Sequence, residues 1–143
     1  MGKVNWSRVF LGGLVAGLVI NLGEFLFHAV VFKTQVEEAM RAMGKDAAAM
    51  ESGTVMAIWV IWCFLLGIGA VWTYAAIRPR YGAGAKTAAI AGVAVWFLAC
   101  LLPSIAMMNM GIMAQNLLVT GLIWGLVEYV LATIAGAYFY KEA

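Results

Sequence analysis

The first long apolar run of this chain carries ionisable groups along one of its sides, and that pairing limits the available folds more than any other feature. From Trp6 to Phe32 it reads WSRVFLGGLVAGLVINLGEFLFHAVVF, with only Glu24 and His28 ionisable after Arg8. A helix rises ~1.5 Å per residue, so a run of this length crosses the ~30 Å hydrocarbon core of a bilayer. Steps of three and four residues put Gly13, Gly17, Asn21, Glu24 and His28 on one face. Half of that face is bare backbone and half is polar. Lipid does not solvate it, so other segments must cover it. The expectation is an integral membrane bundle with a polar seam.

The rest of the chain agrees with that class. It is 65% hydrophobic and 11% charged, against roughly 25% charged residues in a soluble domain. The apolar runs are helical in length, so the fold is expected to be all-α: a four-helix membrane bundle forming a single domain over residues 1–143. The first run is too long for a cleaved leader, contains Glu24 and precedes no small-x-small cleavage site, which reads as a retained helix. A net charge of +2, scattered along the chain, argues against a nucleic-acid surface. Cys63 and Cys100 lack CxxC spacing and fall in apolar runs, as buried thiols do. No phosphate loop, nucleophile elbow, HExxH or CxxCH is present; no cofactor is predicted, and an enzyme is not the favoured class.

Taken in order, Asn5 or Ser7 can cap the first span, about residues 6–32, with Trp6 at the interface. Residues 34–51 form the one extended polar stretch. There Val36, Ala39, Met40, Met43, Ala47 and Met50 share a side opposite Glu37, Glu38, Arg41 and Lys45, the pattern of an amphipathic surface helix with a break at Gly44. Ser52 to Thr54 mark a turn and cap. The second span is expected over about 55–77, ending before Pro79, and the third over about 87–108 with a kink at Pro103. The fourth covers about 116–140 and closes on an aromatic collar of Tyr138, Phe139 and Tyr140. Lys3, Arg8, Arg78, Arg80, Lys86 and Lys141 fall on one side, against Lys33, Arg41 and Lys45 on the other. Basic residues favour the cytoplasmic side, so both termini are expected there, with the surface helix facing outward.

The fourth span repeats the first one's pattern. Gly121, Gly125, Glu128, Ala132 and Gly136 recur at spacings of four, three, four and four, and LVAGLVINLGEF resembles LVTGLIWGLVEY with Gly17 and Glu24 matching Gly121 and Glu128. Gly13, Gly17, Gly121, Gly125 and Gly136 read as positions where helices approach closely. Aligning the two spans sets Asn21 level with Glu128, and Glu24 about one turn (~5 Å) further out. Glu24, His28 and Glu128 are therefore expected to share a pocket, with Asn21 at its inner edge.

Each ionisable group at such depth costs ~2.5–3.5 kcal/mol on insertion scales. Three chemistries suit the set: a hydrogen-bonded structural cluster, a proton- or cation-handling site, or a divalent metal held by Glu24, His28 and Glu128. Bundle metal centres usually recruit about six ligands, and the chain has a single His, so the metal is the weakest of the three. Two nearby carboxylates in low dielectric do not both ionise cheaply, which favours a proton shared between them.

Methionine is dense in and around MMNMGIM at residues 107–113. Thioethers are soft Cu(I) ligands, but flexible packing against the surface helix is the simpler reading. The segments WSRVFLGGLVAGLVINLGEFLFH, YAAIRPRYGAG and LATIAGAYFYKE resemble a group of small bacterial four-span membrane proteins with no assigned activity. That resemblance implies a four-helix bundle in a bacterial inner membrane and carries no site residues with it. Two function classes follow: a small proton- or cation-handling protein, or an accessory or assembly subunit of a larger membrane complex. The expected partners are the lipid bilayer and either further copies of the chain or that complex.

Overall fold

Long apolar stretches satisfy their backbone polar groups internally when water is absent, and the helix is the local way to do it. The computed structural model describes residues 3–46, 52–111 and 114–142, and among them every element is helical. Four helices are long and apolar enough to cross a membrane: Trp6–Val31, Gly53–Tyr81, Ala85–Asn109 and Gln115–Tyr138. We call these the first to fourth spans. A short helix, Lys33–Ala42, joins the first span to the second. The chain termini mark one end of the bundle, here the terminal end; the short helix lies at the opposite, distal end.

The first span packs antiparallel against both the second and the fourth, and the third rests mainly on the fourth. Glycines set the spacing. A Cβ on Gly67 would strike the Gly13 carbonyl oxygen at 2.5 Å and Gly17 Cα at 2.6 Å, so the first two spans touch backbone to backbone. Gly136 meets the Gly12 carbonyl oxygen at 2.5 Å in the same sense, and Gly92 meets the Tyr129 carbonyl oxygen at 2.8 Å. The outward ridges are Leu14, Leu18, Leu22 and Phe25 on the first span and Ile123, Val127 and Leu131 on the fourth, all exposed. Apolar ridges of that length suit lipid and not water.

Burial is uneven along the bundle axis. In the terminal half Val9, Ala16, Ile20, Ala70, Val71, Ala88, Ala91, Ala132 and Thr133 are all 0% exposed. Tyr140 fastens that end: its ring meets Tyr74 edge-on with centroids 5.9 Å apart, and its hydroxyl accepts from the Asn5 N–H at 3.4 Å. Arg78 lies over the same ring, and its Nη1 pairs with Glu142 at 3.2 Å in a geometry too bent for a hydrogen bond. The described residues of the distal half are less evenly packed, with Phe27, Met40, Leu117 and Leu118 buried. Between Ser52 and Trp62 only Val55 is even half-buried, and beyond Glu24 in the first span only Phe27 is buried.

Four details add to or depart from the sequence reading. The second span runs through Pro79 to Tyr81, and Gly82 ends it with φ 83° while its N–H closes the turn on the Arg78 carbonyl at 2.8 Å. A proline in the last turn withholds one N–H where the unpaired carbonyl is already near the interface, so the helix survives it. At Pro103 the irregularity takes the form of a π-helical stretch, Phe97–Leu101, directly before it. Tyr140 is not part of a lipid-facing collar: it is 5% exposed, whereas Tyr138 is 83% exposed. The amphipathic helix ends at Ala42, with Gly44 at φ 69°; Ala47 and Met50 lie outside the described residues.

Candidate functional site

Glu24 falls near the end of the regular helix of the first span, and His28 falls in the π-helical stretch Leu26–Val31 that follows it. The two side chains are four residues apart on one side and meet directly: His28 Nδ1 lies 3.1 Å from Glu24 Oε2 and 3.0 Å from the Glu24 carbonyl oxygen. Two oxygen acceptors at one ring nitrogen put the imidazole proton on that nitrogen. The pair is half-open to its surroundings, Glu24 at 38% and His28 at 51% side-chain exposure.

Glu128 is the buried member, 6% exposed; the Glu24 backbone lies alongside its carboxyl, but neither carboxyl oxygen meets a described residue in hydrogen-bond geometry. It lies against Gly23: a Cβ there would come within 2.6 Å of the Glu128 carboxyl carbon, so bare backbone makes its place. Side chains lean towards the N-terminus of their helix. In antiparallel spans that tilts Glu128 distally and Glu24 towards the terminal end. Below Glu128, Thr133 spends its hydroxyl on the Tyr129 carbonyl at 2.6 Å.

The site so assembled is smaller than the expected one. Asn21 does not belong to it: its amide donates to the Gly17 carbonyl at 2.8 Å and the Val60 carbonyl at 3.4 Å, facing the second span. Gly13 and Gly17 also face the second span, where added Cβ atoms would reach Ile68 Cα at 2.6 Å and Phe64 Cα at 2.7 Å. Successive residues are turned by about 100°, so a different strip of the first span, Gly12, Ala16, Gly23 and Phe27, meets the fourth. The fourth span's glycines divide likewise. Gly136 meets Gly12, and Gly121 has ordinary contact with Phe27 at 3.6 Å. Gly125 instead faces Trp96 of the third span at 3.5 Å.

Among the described residues no three His, Cys, Asp or Glu side chains are grouped closely enough to hold a metal ion, so Glu24, His28 and Glu128 do not form the chelate considered from the sequence. The described methionines differ in burial. Met40 is 8% exposed, Met107 and Met108 are half-buried, and Met110 is 71% exposed; Met113 lies outside the described residues.

Two neighbours of Glu128 escaped the sequence reading. Gly23 carries its signal in Gly12, Ala16 and Gly23, a small-residue spacing one step round from the glycines that stood out. Trp124 precedes Glu128 by four residues on the same face and packs with Phe27 at 5.7 Å and Phe32 at 6.2 Å. Its buried indole N–H has no acceptor among the described residues, whereas Trp96 donates to the Leu122 carbonyl at 3.0 Å. Comparison with known protein families, curated proteins and solved structures returns no match.

Proposed function

We propose that this membrane protein binds and releases a proton at Glu128, between the first and fourth spans, with Glu24 and His28 linking that carboxyl to water at the distal face. The observation that carries the reading is Glu128 itself, 6% exposed with both oxygens unpartnered. An ionised group at such a position costs ~2.5–3.5 kcal/mol or more, and an apolar residue would pack there without that cost. A proton needs one oxygen; a bare cation needs several ligands converging on one point, and among the described residues no three His, Cys, Asp or Glu side chains are so grouped. Glu24 and His28, half-exposed and distal to Glu128, favour access from that side, while Ala16, Ile20, Ala132 and Thr133, all 0% exposed, favour a closed terminal side. The six-to-three basic count supports cytoplasmic termini. The resemblance noted above supports a bacterial inner membrane.

The test is conservative replacement. After a pH jump, purified wild type should take up a proton that the Glu128→Gln variant does not, with the variant still assembling; Glu24→Gln should slow that uptake. Equal uptake by wild type and both Gln variants, with a Glu24→Leu/Glu128→Leu double variant more stable than wild type, would mark the cluster as structural.

One observation favours a second reading, that of an accessory subunit. Residues 52–62 of the second span are exposed on nearly every side, as a helix docking other helices would be. Purification in mild detergent separates the two: stoichiometric companions favour the subunit, and a chain pure alone or with its own copies favours the proton site.

A further inference from the structure

Glu128 and Trp124 leave complementary polar atoms unsatisfied within one helical turn. Glu128 offers two buried carboxyl oxygens and Trp124 one buried indole N–H, and none of the three has a partner among the described residues. They are the only such side-chain atoms described apart from two on Arg78 at the terminal end. Residues four apart on a helix stack on one face with Cβ atoms ~5–6 Å apart. Glu128 leans towards the helix N-terminus, hence towards the level of Trp124. Across from them the first span repeats the layering, with Gly23 against Glu128 and Phe27 against Trp124, so both lie in one helix–helix seam.

We infer that Trp124 and Glu128 hold a single small hydroxylic ligand between them, a water molecule. This rests on the proton-exchange reading and names the species that meets the carboxyl. A water with its two hydrogen bonds of ~2.8 Å reaches between groups too far apart to bond directly, and residues one helical turn apart hold such groups on one face. Water accepts from the indole N–H and donates to the carboxylate, or accepts from the carboxylic acid when the proton returns. A metal ion cannot bridge the same atoms, because the indole nitrogen offers a proton and no lone pair. Buried waters typically make about three hydrogen bonds to otherwise unsatisfied groups, and the three orphaned atoms supply that number. Unpaired, each buried polar group would carry its full desolvation cost.

Infrared difference spectra of the whole protein in membranes, exchanged between normal water and water labelled with oxygen-18, test this. Wild type should show an O–H stretching band that shifts with the label, and the band should vanish in both Trp124→Phe and Glu128→Leu. Losing it in two separate variants, each with a native helical circular-dichroism spectrum, excludes misfolding as the cause. No label-sensitive band in wild type, or one that survives either replacement, overturns the bridging water. The Glu128 carbonyl band in the same spectra is the separate readout of proton exchange. If it titrates normally while the labelled band is missing, the water is wrong and the proton site stands.

Discussion

Gly67 and Gly69 are neighbours on the second span with opposite surroundings. A methyl on Gly67 would collide with the backbone of Gly13 and Gly17, whereas one on Gly69 would meet nothing within 4 Å. Backbone cannot step aside as a side chain can. Gly67→Ala should therefore cost about 1–3 kcal/mol, and Gly69→Ala should be neutral or stabilise by about 0.5–1 kcal/mol. Denaturant titration in detergent reads both; equal effects would mean that the two spans do not touch there. Gly23 is a third case, because the atoms in its way belong to the movable end of Glu128. Gly23→Ala should leave the fold intact while pushing the Glu128 carboxyl distally, and proton uptake after a pH jump should become faster. An unchanged rate would separate Gly23 from the site.

The helix Lys33–Ala42 is held by few contacts. Met40 is its one buried residue, at 8% exposure, beside the cleft that Gln35, Glu38 and Ala39 form with Asn116 and Leu117 of the fourth span. Met40→Ala should raise amide hydrogen exchange across Lys33–Ala42 without unfolding the spans. Met110→Ala, at a residue 71% exposed, should not. The same exchange in both would show that the helix does not rest on Met40. This helix was legible in the sequence because its two-sided pattern is local, and so was the Glu24–His28 pair, four residues apart on a single helix. Which strip of the first span faces which neighbour was not. Gly12 and Gly13 differ by one residue, and only the packing decides that Gly12 meets Gly136 while Gly13 meets Ile68. Asn21 went to the second span for that reason, and the Glu128 cradle fell to Gly23. The π-helical stretches and the burial of Tyr140 are likewise settled by neighbours: Tyr140 by Tyr74 and Asn5, which lie far from it in sequence.

Among the described residues burial is tightest at the terminal end, and Glu128 lies between that end and the half-exposed Glu24–His28 pair. Orientation in the membrane then decides which water its proton sees. A cysteine placed at exposed Lys45, after removal of Cys63 and Cys100, should react from outside the cell, and labelling from the cytoplasm alone would reverse the topology. The proton site is tested most directly in vesicles of one orientation treated with a membrane-soluble carbodiimide, which couples to carboxylic acids and spares carboxylates. Mass spectrometry should find the adduct on Glu128. Raising the pH on the distal side alone should protect Glu128, and raising it on the terminal side alone should leave labelling unchanged. Protection from the terminal side, or labelling indifferent to pH on either side, would contradict a buried carboxyl that exchanges its proton through Glu24 and His28.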